Sequence, residues 1–305
     1  MVGITLKHLR YFEALARHTH FGRAAESCGI SQPALSVQIK ELERMLGAPL
    51  VERGARQVGL TSLGKAFLDR ARHILVQVEE LDGLARAATG PLAGQLRLGI
   101  IPTIAPYLLP EIMAALAVQM PALELYPHES VTKTLISDLL NSQLDAAIVA
   151  LPISEPALQE FALFEEDFVL IRPINEANNP VPSAQTLHQM RLLLLEEGHC
   201  FRDQALSFCE ISTAKTRYLM EGSSLSTLVQ MVGAGMGLTL IPEMALPLET
   251  RMAEVSVARF PPPSPARSIG MVWRNTNPLA EKLMDVGAIV RQVAGKKHRQ
   301  PYPEF

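Results

Sequence analysis

The sequence predicts a multidomain α/β protein: an N-terminal winged helix-turn-helix, a long linker helix, and a C-terminal α/β domain. Three patterns support this prediction. Helical apolar spacings followed by two short strands occupy the first sixty residues, a heptad-spaced helix comes next, and short apolar strands then alternate with helical stretches. With 305 residues the chain is long enough for two or three separate cores.

The first fifty residues are predicted to form three helices. Thr5 can cap the first, and Gly29 ends a short second helix that follows Phe21. Ser31 is a good N-cap for the third helix, in which Pro33 is tolerated in the first turn. The apolar stripe of the third helix consists of Leu35, Ile39, Leu42 and Leu46. Two short helices joined by a tight turn containing glycine are typical of a helix-turn-helix.

The polar face of the third helix is predicted to contact DNA, because the second helix of such a motif places its N-terminal residues against base edges in the major groove. The candidate DNA-binding residues on it are Gln32, Pro33, Ser36 and Lys40. Residues 50–58 then predict two short strands around a glycine turn. This wing places Arg53 and Arg56 for phosphate or minor-groove contact. The alternative is an ordinary three-helix bundle with a solvated polar face.

A long helix is predicted from Thr61, a suitable cap, to about Ala88. Its seam of apolar positions consists of Phe67, Ala71, Ile74, Val78, Leu81, Ala85 and Ala88. Steps of four and three over three heptads are typical of a coiled coil, so we expect a dimerisation helix. The alternative is a helix docked on its own domain, but a seam about 40 Å long is too long for a small winged domain to cover. The predicted domains are residues 1–61, 62–90 and 91–305.

The C-terminal part is predicted to be an α/β domain with largely parallel sheets, since short apolar runs alternate with helical stretches. The predicted strands cover residues 96–101, 123–126, 146–150, 168–171, 192–195, 238–241 and 269–273. The glycines at 233–237 lack the spacing and the preceding strand of a dinucleotide loop, so no cofactor is expected.

Charge and cysteine content restrict the function further. Residues 1–90 hold twelve Lys or Arg and nine Asp or Glu, whereas residues 91–305 hold sixteen and twenty-two, so the N-terminal part suits an anionic polymer. With neither a signal-peptide pattern nor a membrane-spanning apolar stretch, we expect a cytoplasmic protein without membrane contact. Three cysteines in such a protein favour a catalytic or redox role over structural disulfides, and their spacing fits no metal site.

The segment around Cys200 and Cys209 is the candidate redox site. Cys200 lies between His199 and Arg202 at a predicted helix N-terminus, and cations together with the helix dipole favour a thiolate. Cys209 follows Phe208 in a setting that disfavours a thiolate, so Cys200 is predicted to react with peroxide and Cys209 to resolve the sulfenic acid. The alternative is that both cysteines are small buried hydrophobes.

Distance makes this cysteine pair a predicted switch. Nine residues of helix separate the two Cα atoms by about 13 Å, whereas a disulfide needs about 4.4–6.8 Å. The bond between Cys200 and Cys209 can therefore close only if the intervening segment refolds.

The motif Phe21-x-x-Ala24-Ala25, followed by Ser31-Gln32-Pro33-Ala34-Leu35-Ser36-x-Gln38-Ile39-x-x-Leu42-Glu43, resembles the winged helix of LysR-type transcriptional regulators. The resemblance implies a C-terminal regulatory domain of two periplasmic-binding-protein-like subdomains, with the second at about 167–267. It also implies promoter DNA and RNA polymerase as partners, and a homotetramer that is a dimer of dimers.

The stretch from Glu197 to Cys209 resembles the peroxide-sensing activators within this family, as do Ile101-Pro102-Thr103, Pro106-Tyr107-Leu108-Leu109-Pro110 and Gly235-x-Gly237-x-Thr239-Leu240. The resemblance implies a peroxidatic Cys200 and a resolving Cys209. The implied peroxide-binding or assisting residues are Thr103, Thr132, His199, Arg202, Asp203 and Arg267. A helix N-cap role for Thr132 and a surface position for Arg267 are the alternatives.

The function predicted from these patterns is a transcriptional activator of antioxidant genes that is not an enzyme. It responds to hydrogen peroxide through a reversible Cys200–Cys209 disulfide, and the resemblance implies re-reduction by a glutaredoxin- or thioredoxin-type partner. One alternative is a regulator of the same family that binds a small organic effector between its subdomains. A thiol peroxidase fused to a dimerisation module is a third possibility, against which the winged helix argues.

Overall fold

The structure, a computed structural model, describes residues 3–52, 58–88, 92–187, 189–209 and 220–298. It consists of two compact units, residues 1–85 and 86–305. No helix in the described ranges is long and apolar enough to cross a membrane.

The first unit begins with three helices, α1 (Leu6–His18), α2 (Phe21–Ser27) and α3 (Gln32–Leu46). Thr5 caps α1 by accepting a hydrogen bond from the amide of the third helical residue. The imidazole of His20 caps α2, a role that the sequence did not suggest. Gly29, at a φ of +65°, lies in the turn between α2 and α3, where a left-handed backbone favours glycine.

The predicted apolar stripe of α3 forms much of the core of this unit, with Leu35 and Leu42 fully buried. The short strands β1 (Val51–Glu52) and β2 (Gly59–Leu60) then pair antiparallel, as a wing requires. The predicted contacts Arg53 and Arg56 lie outside the described residues.

Helix α4 (Ser62–Ala88) begins where the sequence predicted, and the hydroxyl oxygen of Thr61 accepts a hydrogen bond from the Gly64 amide. Its apolar seam divides into two parts. Phe67 packs edge-on against Phe12, with ring centroids 5.5 Å apart, so the first turns dock on their own unit. Further along, Ile74 is 48% exposed and Leu81 is 63% exposed.

The second unit contains the remaining helices and strands. Its strands are β3 (Gly94–Ile100), β4 (Leu123–Glu129), β5 (Ala146–Leu151), β6 (Leu158–Pro173), β7 (Leu193–Leu195), β8 (Met220–Gly222), β9 (Thr239–Pro242), β10 (Val255–Arg259) and β11 (Ala266–Arg274). Its helices are α5 (Ala105–Gln119), α6 (Thr132–Leu140), α7 (Ala184–Leu187), α8 (Cys200–Phe208), α9 (Leu225–Gly233), α10 (Leu246–Glu249) and α11 (Ala280–His298).

The main sheet is mixed, so the prediction of largely parallel sheets is wrong. Its strand order is β10-β6-β11-β5-β3-β4, with β9 also paired to β6. β3 pairs parallel with β4 and β5, whereas β6 and β11 pair antiparallel with all of their partners. Apolar runs show where a strand lies but not its direction, and the return of β11 to β5 reverses the direction.

Strand β6 belongs to both halves of the sheet. Residues 158–167 pair with β11, and residues 168–173 pair with β9 and β10. The sequence predicted only residues 168–171, because polar residues alternate through the first half of the strand. A separate two-stranded parallel sheet, β7 with β8, lies beside α8 and α9.

Candidate functional site

Cys200 is the first residue of α8, directly after strand β7 and a short turn. Gly198 in that turn has a φ of +101°, which only glycine adopts easily, so the chain reverses sharply before the helix begins. His199 is the N-cap residue, but its side chain makes no capping hydrogen bond. The Cys200 sulfur therefore lies at the positive end of the helix dipole, as the sequence predicted.

The half-buried Cys200 lines a cavity of about 460 Å³. Thr132 and Asp203, both predicted site residues, line the same cavity. Lys133, Gln204 and Glu155 add an amine, an amide and a second carboxylate. The cavity thus brings a thiol together with polar groups of both charges, an arrangement that fits a small polar molecule.

Two buried oxygen atoms at this cavity make no hydrogen bond with the described part of the chain. They are Oγ1 of Thr132 and Oε1 of Gln204. Thr132 is the first residue of α6, whose N-cap is Val131, so the alternative N-cap role for Thr132 is excluded. Gln204 was not predicted, although its position four residues after Cys200 places both on one helix face.

Cys209 lies at the opposite end of α8, as its C-cap residue, and is fully buried. Burial raises the pKa of the Cys209 thiol to about 12, because a thiolate loses its hydration there. This thiol remains protonated at neutral pH. Both cysteines are free, and a nine-residue helix separates them by about 13 Å along its axis.

The predicted cationic surroundings of Cys200 need correction. Burial lowers the pKa of His199, and Glu196 only partly opposes this effect, so the imidazole is neutral at pH 7. The guanidinium of Arg202 is buried and bound elsewhere: its Nη1 donates to the Leu195 carbonyl at 2.8 Å and lies 2.6 Å from Oε1 of Glu221. Among the described residues that line the cavity, Lys133 carries a positive charge, and the dipole of α8 adds to it.

Arg267 is buried and central, so its alternative placement on the surface is excluded. Its Nε donates to Oε2 of Glu166 at 2.8 Å, and Nη2 lies 2.7 Å from the same oxygen. Its Nη1 donates to the Thr103 hydroxyl at 2.8 Å, and its guanidinium lies over the ring of Phe201, 5.5 Å from the centroid. Arg267 therefore orients Thr103 and contacts the residue next to Cys200.

Thr103 and His199 line a neighbouring cavity of about 340 Å³ instead of the cavity of Cys200. Tyr107 on α5 donates a 2.6 Å hydrogen bond to Glu249, which also accepts one from Ser226 on α9 at 2.6 Å. Four of the six predicted peroxide residues thus line two adjacent cavities, whereas Arg267 binds Thr103 and Arg202 binds Glu221.

Four predicted DNA-binding residues lie on the first three turns of α3, the recognition position of a helix-turn-helix. Gln32, Pro33 and Lys40 are exposed, and Ser36 is half-buried. The opposite face of α3 supplies the core of the unit, so these side chains remain available for a partner. In the described ranges, no group of three or more His, Cys, Asp or Glu side chains is placed to hold a metal ion.

Comparison with known families identifies the class of protein. Residues 6–65 match the bacterial regulatory helix-turn-helix protein family of the lysR type, and residues 89–295 match the LysR substrate binding domain. The chain belongs to the LysR family of DNA-binding transcriptional regulators, which are not enzymes.

Individual relatives define the similarity more closely. The chain is 40% identical over 293 residues to a probable hydrogen peroxide-inducible genes activator from Streptomyces viridosporus, covering 94% of each chain. It is 39% identical over 290 residues to the DNA-binding transcriptional dual regulator OxyR of Escherichia coli K12, covering 94% of this chain and 95% of OxyR. It also resembles a hydrogen-peroxide-bound cysteine-to-serine variant of Corynebacterium glutamicum OxyR, with a TM-score of 0.67, 35% identity, and coverage of 96% and 93%.

Proposed function

We propose that this LysR-family regulator responds to hydrogen peroxide through a Cys200–Cys209 disulfide and activates antioxidant genes. The observation that carries the proposal is the placement of Cys200 at the start of α8, facing a cavity with the buried Thr132 hydroxyl. The peroxide-responsive names of the relatives, and the hydrogen peroxide bound to one of them, support the same chemistry.

The proposed reaction has two steps. The Cys200 thiolate attacks one oxygen of hydrogen peroxide, the O–O bond breaks, and the departing hydroxide takes a proton and leaves as water. Thr132 donates a hydrogen bond to the bound peroxide, and Asp203 assists from the cavity wall. The Cys209 thiol then attacks the Cys200 sulfenic acid, which forms the disulfide and releases a second water. Arg267 and Thr103 support this site indirectly, through Phe201 and the adjacent cavity.

Refolding of α8 connects this chemistry to transcription. Because α8 keeps the two cysteines about 13 Å apart, closure of the disulfide requires the helix to open. Opening of the helix changes the conformation of the regulatory domain, residues 91–305. This change alters the arrangement of a tetramer that assembles through the linker helix, residues 62–90. Residues 1–61 bind the promoter in the cytoplasm, and Arg53 and Arg56 are the proposed phosphate contacts. RNA polymerase is the activated partner, and a glutaredoxin- or thioredoxin-type protein restores the thiols.

The test is to treat the purified chain with stoichiometric peroxide and map its thiols by mass spectrometry. The wild type should form a Cys200–Cys209 bond, C200S should remain reduced, and C209S should stop at a trappable sulfenic acid. Cys28, the third cysteine, provides the matched control: C28S should behave like the wild type. A C200S variant that still activates a peroxide-inducible reporter in cells, or a wild type without the disulfide, contradicts the proposal.

A regulator of a small organic effector is the second candidate. The 340 Å³ cavity favours it, since hydroxyl groups of Ser130, Ser223 and Ser224 line the cavity together with the carboxylate of Glu249. The two candidates differ in their dependence on thiols. A transcriptional response that survives C200S and is lost when Ser226 or Ser224 is enlarged would support the effector.

A further inference from the structure

Arg202 holds α8 to the small sheet formed by β7 and β8. Its guanidinium bonds the carbonyl of Leu195, the last residue of β7, and the carboxylate of Glu221 in β8. The Arg202 side chain is 7% exposed and that of Glu221 is 41% exposed, so a buried cation depends on a partner at the surface. Loss of that partner leaves a buried charge with a single carbonyl acceptor in the described structure.

This ion pair is specific to the helical form of α8. Arg202 lies between the two cysteines, and the Cα atoms of the cysteines must approach by at least about 6 Å before a disulfide closes. Opening the helix reorients the backbone that carries Arg202. Its guanidinium can then no longer meet both the Leu195 carbonyl and Glu221, whose strands are paired in fixed register.

We propose that the Arg202–Glu221 ion pair is a redox latch, in which Glu221 stabilises the reduced form and resists closure of the Cys200–Cys209 disulfide. This inference rests on the proposed function and adds a positioning residue to it. Glu221 touches neither peroxide nor sulfur. It acts through Arg202, and it therefore tunes how readily the disulfide forms.

The latch predicts a defined shift in the thiol–disulfide equilibrium. In exchange with glutathione, two protein thiols are oxidised, one glutathione disulfide is reduced to two thiols, and the protein disulfide forms. Glu221→Gln removes the charge that favours the reduced side, so the equilibrium constant for oxidation should rise three- to tenfold. A tenfold rise corresponds to about 30 mV towards a more negative midpoint for this two-electron couple.

The experiment compares full-length wild type, E221Q and E197Q in glutathione redox titrations at low and high salt. Glu197 is exposed beside the same segment, and its replacement by Gln changes the net charge equally. E221Q alone should shift. Salt weakens a partly exposed pair, so high salt should move the wild type and E197Q towards the E221Q value and leave E221Q unchanged. The rate of sulfenic acid formation at Cys200, measured in a C209S background, separates an electrostatic effect on the first step from the shift in the disulfide equilibrium.

Three results overturn the latch. They are equal midpoints for E221Q and E197Q, a midpoint for E221Q that is less negative than that of the wild type, or a salt-dependent shift in the midpoint of E221Q as large as that of the wild type. Near-ultraviolet circular dichroism of the reduced variants checks that each is folded before titration. A wild type that forms no Cys200–Cys209 bond at all is a different result, because it refutes the proposed function itself.

Discussion

Replacement of Arg267 by Met should destabilise the regulatory part of the chain strongly, because the Arg267–Glu166 pair is completely buried. Both side chains are 0% exposed. Without Arg267, the carboxylate of Glu166 keeps one described donor, the Met244 amide at 3.0 Å, and the Thr103 hydroxyl loses its bond to the guanidinium. Removal of one member of a buried ion pair typically costs about 3–5 kcal/mol, since the remaining charge has no counterion.

The double variant separates the pair from its surroundings. Glu166→Gln alone leaves a buried guanidinium without its counterion and should also cost about 3–5 kcal/mol. In R267M/E166Q neither charge remains, so the double variant should be at least about 2 kcal/mol more stable than the sum of the two single changes predicts. The cost that remains comes from the Thr103 hydroxyl and carbonyl oxygens, which lose the guanidinium donor, because a glutamine at position 166 can still accept from the Met244 amide.

Urea unfolding measures these free energies through the fluorescence of Trp273, the single tryptophan of the chain, which is fully buried on the same strand as Arg267. The Arg259–Glu243 pair is a matched control, since the Arg259 side chain is 54% exposed. R259M should change stability by less than about 1 kcal/mol. An R267M cost as small as that of R259M, or strictly additive single variants, would refute the reasoning from burial.

Three further predictions concern other parts of the chain. The raised pKa of Cys209 means that the folded state holds this proton more tightly than the unfolded state, so its stabilising contribution is complete below pH 9 and is lost as pH rises towards 12. Over that range, the free energy of unfolding of the wild type should fall by up to about 1.4 kcal/mol per pH unit more than that of C209A. Parallel plots of unfolding free energy against pH would contradict this. Ile74→Glu or Leu81→Glu should raise the dimer dissociation constant at least about tenfold in light scattering, whereas an unchanged mass at low concentration argues against the seam. Gln32→Ala should reduce the binding free energy by about 1–3 kcal/mol on cognate DNA only. Lys40→Ala should weaken binding to all DNA and lower the slope of log K against log salt concentration by about 1. The reverse pattern would show that α3 is not the helix that contacts the bases.

Local patterns predicted the helices of the first unit well, since caps and apolar spacings act over a few residues. Thr5, Ser31 and Thr61 all cap helices, and the stripe of α3 is buried as its spacing indicated. The seam of α4 was only partly right. Packing of Phe67 against Phe12 depends on the neighbouring helix, which heptad spacing cannot reveal.

At the candidate site, the sequence did not predict the ion pairs between residues that are far apart along the chain. The start of α8 at Cys200 was correct because a strand, a glycine and a helical stretch follow one another along the chain. The sequence predicted Arg202 as a cationic neighbour of Cys200 but did not reveal its ion pair with Glu221, because Glu221 lies nineteen positions away. Glu166, opposite Arg267 on the adjacent strand, escaped notice for the same reason. Neighbours in sequence suggested charges that tertiary contacts neutralise.

The burial of Cys209 gives the proposed reaction a built-in competition between two rates. Disulfide closure waits for α8 to open, and that opening does not depend on the peroxide concentration. A second peroxide molecule can meanwhile carry the sulfenic acid on to the sulfinic acid, and this branch speeds up in proportion to peroxide. Below the crossover concentration the disulfide prevails and the protein can be recycled; above it Cys200 is spent irreversibly. The free energy of opening one short helix thus sets the upper end of the dose range over which such a sensor works.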